Sequence, residues 1–259
     1  GARTFVTDHS SPFSQRWGGY YVTGTHGEMR HMGNTVIPLE ESTQDFDYQS
    51  GANLTRLDGL IDTDDYLSPH SDLVALMVLE HQSRMHNLIT RAHFETDTVN
   101  HYDRLYNKAL DRPEGFRSDI SRRRIARVAD DLLRYMLFIN EFALKSPIRG
   151  TSKFAEEFSK RGRRDRQGRS LRQLDLRRRL FRHPCSFLVE SPAFAQLPDA
   201  VRKPVVDRLR TILQGKMSDK DFARLSAGDR KAIREILDAT RPPWWSLTAL
   251  PRESPEKHR

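Results

Sequence analysis

From Ser71 to Leu110 apolar residues recur at the three-and-four spacing of a helix, and about 100° per residue puts Val74, Met77, Val78, His81, Met85, Leu88 and Ala92 on one stripe. Ser71 or Asp72 supplies an N-cap, and Pro113-Glu114-Gly115 lies beyond the stop. A second helical pattern runs from Ser118 to about Leu144, with Ile125, Val128, Leu132, Met136, Ile139 and Phe142 or Ala143 inward and Lys145-Ser146-Pro147 as its breaker. The connection Arg112–Arg117 is short, which predicts an antiparallel helical hairpin. Shorter helices are predicted over Thr151–Lys160, Ser170–Phe181, Pro198–Gln214 and Ser226–Ala239. Cys185–Val189 fits either a short strand or a helix start, and Trp244-Trp245 after two prolines reads as a seal on the core edge.

Gly1 to Pro69 has a different texture, rich in Gly, Ser, Thr, Asp and Asn with brief apolar alternations such as Tyr20-Tyr21-Val22 and Thr35-Val36-Ile37. Short strands and ordered loops are expected there, with one helical turn between Asn53 and Ile61. A loop segment of that length inside a compact domain binds something or wraps a core. The predicted architecture is mainly α: an antiparallel long-helix hairpin, additional C-terminal helices, and an irregular, short-stranded N-terminal arm over 1–69. Arm and helical domain, 70–259, form one globular unit.

Charge adds one qualification. The formal net charge is +8, and between Arg117 and Arg182 roughly twenty basic residues face eight acidic ones. An anionic partner for Arg161–Arg182, with Arg177, Arg178 and Arg179 as its contacts, is one reading; a solvated face is the other, since only Phe181 could stack on a base there. The lone Cys185 excludes an internal disulfide and reads as a buried, inert thiol. No apolar run approaches the roughly 18–20 residues needed to span a bilayer. The opening residues, GARTFVTDHSSPF, lack the basic start and apolar core of a signal peptide, so the chain reads as a mature form or a fragment.

The densest chemistry lies in Arg16–Asn34, RWGGYYVTGTHGEMRHMGN, which holds five glycines, two histidines and two methionines. His26, Met29, His31 and Met32 carry the donor types that bind haem iron or a transition metal. The alternative is an ordered loop whose histidines hydrogen-bond to backbone while the methionines fill gaps. His81 sits in the middle of the long helix's apolar stripe and needs a partner there. That partner is a carboxylate, a backbone carbonyl, or a metal shared with His26 or His31. Glu80 and Glu95 flank this face, Glu95 either pairing with an arginine or orienting a ligating histidine. His81 and His86 are five apart and diverge on the helix, so no zincin motif is present; P-loop, G-x-S-x-G and dinucleotide fingerprints are absent as well.

Three stretches together, RWGGYYVTGTHGEMRHMGN, LSPHSDLVALMVLEHQSRMHNLITRA and GRSLRQLDLRRRLFRHPCSFLVESPAFAQLP with the following helices, resemble exported bacterial proteins of planctomycete-like genomes labelled as c-type-cytochrome-like. The resemblance covers most of the chain. It implies an extracytoplasmic, periplasmic location and a haem whose covalent attachment lies in an upstream cytochrome-type domain or a redox partner, since C-x-x-C-H is missing here. His26 and His31 are then the candidate ligands, with His81 behind them. The expected function is a helical contribution to a haem- or metal-containing electron-transfer protein; the alternative is a non-enzymatic interaction module that binds an anionic partner through Arg161–Arg182.

Overall fold

The computed structural model describes residues 6–35, 47–217 and 219–246. Its spine is α1, Leu73–Ala109, capped by the Asp72 carboxylate, which accepts from the Val74 and Ala75 N–H groups. Every residue of the predicted stripe, from Val74 to Ala92, is buried. The chain turns back through 110–118 into α2, Asp119–Met136, whose N-cap Ser118 accepts from the Ser121 N–H. Contacts between Asp103 and Ser121, Glu95 and Arg124, and Arg91 and Asp131 run in opposite sequence order, so the pair is antiparallel as predicted. The remaining helices are α3, Phe154–Lys160; α4, Pro192–Ala195; α5, Asp199–Leu213; α6, Ala227–Thr240; and α7, Pro243–Ser246. Trp244 is fully buried, its indole N–H donating to the Val189 carbonyl at 2.6 Å, as a seal should. Among the described residues no helix is long and apolar enough to cross a membrane.

Three expectations need correction. Helix α2 ends at Met136 rather than near Leu144, because the Ser186 N–H takes the Met136 carbonyl and Phe138 turns to a φ of 56°. Ile139 and Leu144 are still buried, but from irregular backbone. Residues 170–181 are not helical: Asp175 accepts from the Arg177 and Arg178 N–H groups, and an isolated antiparallel bridge joins Leu174 to Phe181. Between Asn53 and Ile61 the Leu57 carbonyl accepts from the Leu60 and Ile61 N–H groups, closing one helical turn, and Cys185–Val189 leads into a 3₁₀ turn over Phe187–Glu190. In the described part of the arm there are single bridges but no strands; the Val36-Ile37 positions lie outside the described residues.

These bridges fasten the arm. Thr23 pairs in parallel with Asp72 at the start of α1, and Thr25 pairs antiparallel with Arg149 ahead of α3. Gly24 lies between them at a φ of 155°, where a Cβ would fall 2.7 Å from the Leu73 Cβ and 2.8 Å from the Arg149 carbonyl. The residue must be glycine for the arm to approach α1 this closely.

Candidate functional site

The arm carries its own charged core. Arg16 is 2% exposed, and its guanidinium donates to the carbonyls of His9 and Ser11 while lying over the rings of Phe13, Trp17 and Phe142. Its ionic partner is Glu80 on α1 at 3.6 Å, whose other oxygen accepts from the Thr7 hydroxyl at 2.8 Å. Burial raises the Glu80 carboxyl pKa, with Arg16 opposing. Glu80 is therefore an anchor for the arm. Glu95 takes the first of its two predicted roles and pairs with Arg124 at 2.7 Å.

His26 and His31 come together, ring centroids 4.9 Å apart and edge to face, against Phe13. His26 Nε2 accepts from the Asn53 N–H at 3.2 Å, and His31 Nδ1 accepts from the Gly33 N–H at 3.0 Å. A neutral imidazole has one lone pair to offer. In both rings it is occupied by backbone, so the remaining nitrogen carries hydrogen. Burial, helped by neighbouring charge, lowers both pKa values, that of His31 to about 4. Met29 is buried in the core, and Met32 stands half-buried on the wall of a cleft.

His81 does not join this pair. Its Nδ1 lies 2.9 Å from Nδ1 of His9, and its Nε2 lies 2.8 Å from the Ser186 hydroxyl. His9 stacks on Tyr135 and Phe138, while His81 stacks on Phe138 and meets Phe181 and Phe187 at angles. One proton on the Nδ1–Nδ1 axis satisfies both neutral rings; a second would place a cation in an aromatic cage. Burial accordingly lowers His9 to about 3, Arg16 adding to the effect, and drives His81 well below its ordinary value. The serine–histidine–histidine order matches a nucleophile, base and orienting group. Ser186 and His81 are both fully buried, however, and Ser186 also caps the following 3₁₀ turn. His9 escaped sequence reasoning because it sits alone in a loop, with no spacing to mark it.

The lone pairs of His26 and His31 are taken by the backbone N–H groups of Asn53 and Gly33, and both nitrogens of His81 lie within hydrogen-bond distance of His9 and Ser186. Among the described residues no group of three or more His, Cys, Asp or Glu is placed to hold an ion. Cys185 is fully buried and burial raises its pKa, in keeping with an inert thiol.

The arm and α1 enclose an open cleft of about 700 Å³. Trp17, Tyr20, Met32, Leu76 and Leu79 give it apolar walls, and Glu80, Ser83, Arg84 and Asn87 follow one polar edge of α1. Arg84 is 40% exposed and holds Asp8 only at 3.7 Å, which leaves its guanidinium available to a ligand.

The basic segment divides. Arg179 bonds Asp229 at 2.7 Å and the Arg182 carbonyl, whereas Arg177 and Arg178 point into solvent. Arg179→Ala is expected to lower stability by about 1–2 kcal/mol in urea denaturation, while a double Arg177→Ala, Arg178→Ala change leaves stability within about 0.5 kcal/mol.

Comparison with protein-family models, with curated proteins and with solved structures finds no match to this chain.

Proposed function

We propose that this chain is a non-enzymatic ligand-binding module that takes a small organic molecule with an apolar body and an anionic or strongly polar head into the cleft between the arm and α1. The observation that carries this reading is the cleft itself: its volume lies in the range of small-molecule sites, and its apolar walls end at one exposed cation, Arg84. The serine–histidine–histidine relay supports binding over catalysis, because Ser186 and His81 are both fully buried, away from the cleft's lining. The arm is fastened to α1 by buried polar contacts, so the cleft is preformed and binding forgoes little ordering cost.

Anilinonaphthalene sulfonate, an aromatic body with an anionic head, is the probe. Saturable binding at one site with blue-shifted emission is expected. Leu79 is 52% exposed, so Leu79→Glu keeps the fold while placing a carboxylate in the cleft, and should weaken binding at least tenfold. Arg84→Gln should weaken it about fivefold, a loss on the order of 1 kcal/mol. Unchanged affinity in Leu79→Glu overturns the reading.

A further inference from the structure

The far end of the helical hairpin is organised differently from the rest of the surface. Between Phe94 and Ile120 only Thr96, Val99 and Asn107 are buried, so the last turns of α1 and the first of α2 project with little covering them. An isolated hairpin tip would ordinarily be polar. This one exposes Tyr102, Leu105, Tyr106, Leu110, Phe116 and Ile120, with Ile120 at 66% and Leu110 at 55% exposure. Tyr102, Leu105, Tyr106 and Ala109 follow helical spacing along one exposed stripe of α1. Exposed apolar residues gathered at one end of a hairpin point to an interaction surface.

The same tip carries a basic pocket of about 300 Å³ lined by Arg104, Asn107, Lys108, Arg112 and Glu114. The Asn107 amide shapes it by donating to the carbonyls of Glu114 and Phe116. Arg112 is steadied by Phe116, whose ring centroid is 4.9 Å from its guanidinium carbon. Among the described residues none of the three cations is ion-paired, unlike Arg117 and Arg124 nearby on the same hairpin. Lys108 in the last turn complements the α1 dipole, but that accounts for neither Arg104 nor Arg112. Three unpaired cations outweigh Glu114 and the partial negative charge of the helix end.

We propose that the hairpin tip docks on an anionic lipid surface, a phosphodiester headgroup entering the Arg104–Lys108–Arg112 pocket while Leu105, Leu110, Phe116 and Ile120 rest in the interfacial layer. Unpaired cations flanked by aliphatic and aromatic side chains are the composition that such a surface selects. The chain's positive net charge favours the approach.

The test is co-sedimentation of the full chain with phosphatidylcholine vesicles and with mixed phosphatidylcholine–phosphatidylglycerol vesicles. Binding to the mixed vesicles alone is expected. The triple variant Arg104→Gln, Lys108→Gln, Arg112→Gln should lose at least about tenfold in affinity, and Leu105→Ser, Leu110→Ser, Ile120→Ser should lose a comparable factor at unchanged charge. All six positions are exposed, so circular dichroism should not change; if a triple variant unfolds, the single changes carry the same comparison in smaller steps. Equal binding by wild type and the charge variant overturns the proposal. So does binding of inorganic phosphate without binding of vesicles, which would assign the pocket to a free anion, and so does capture of a protein partner by the tip without vesicle binding. Leu105→Ser should leave anilinonaphthalene sulfonate in the cleft undisturbed, so the two sites fail independently.

Discussion

Asp72→Ala is expected to cost on the order of 4 kcal/mol, read as a shift of the urea midpoint at unchanged slope. Asp72 is 8% exposed, and its carboxylate does two jobs. One oxygen caps α1 by accepting from Val74 and Ala75; the other accepts from the Thr151 and Ser152 N–H groups at 2.9 and 2.8 Å and from the Ser152 hydroxyl at 2.6 Å. Removing it leaves four backbone donors without an acceptor at the junction of α1, the arm and the loop before α3. Each such buried donor costs roughly 1–3 kcal/mol, and loss of the cap alone about 1 kcal/mol. Asp72→Asn keeps one acceptor and should cost less than half as much. Gly150 adds a steric check: a Cβ there would lie 2.5 Å from both Asp72 oxygens, so Gly150→Ala should destabilise by the same route. A loss below about 1 kcal/mol for Asp72→Ala would show that the carboxylate only caps the helix.

The same residue shows what a sequence can reveal. Asp72 was legible as an N-cap, because capping is a local event written in the residues just before a periodic run. Its contacts to Thr151 and Ser152 were not, since nothing local says which loop returns to a helix start. The stripe from Val74 to Ala92 and the antiparallel return through α2 were legible for the same reason: a long amphipathic period leaves little choice of buried face. The period misled where irregular backbone buries the same residues. Ile139 and Leu144 reach the core without a helix, and Leu171, Leu174 and Leu180 have helical spacing but belong to a turn that Asp175 stabilises through backbone N–H groups. In the candidate site, the meeting of His26 with His31 followed from their shared loop, whereas the partner of His81 was hidden. His9 is 72 positions away in sequence, and only the docking of the arm brings the two rings together.

Acidification between pH 7 and pH 5 is expected to destabilise the fold, and the histidines decide the sign. A histidine whose folded pKa lies below its unfolded value of about 6.5 contributes stability that is complete above that value. The contribution is lost as pH falls towards the folded pKa, because only the unfolded chain gains the proton. For His9, at about 3, and His31, at about 4, the loss by pH 5 is about 2 kcal/mol each. His26, His81 and His183 are lowered by burial and act in the same direction. Glu141 acts in the opposite one: burial raises it to about 7, so the folded state gains a proton first and recovers about 2 kcal/mol over the same interval. Glu80 and Glu190, raised by burial, oppose the histidines too. Five histidines against three carboxyl groups leave a net fall, measurable as the urea midpoint at each pH. His9→Phe separates the contributions. Its constant penalty for breaking the bond to His81 appears at every pH, but the drop from pH 7 to pH 5 should shrink by about 2 kcal/mol. A variant whose drop equals that of the wild type would mean that His9 takes up its proton while folded, and that the aromatic cage around the His9–His81 pair admits charge.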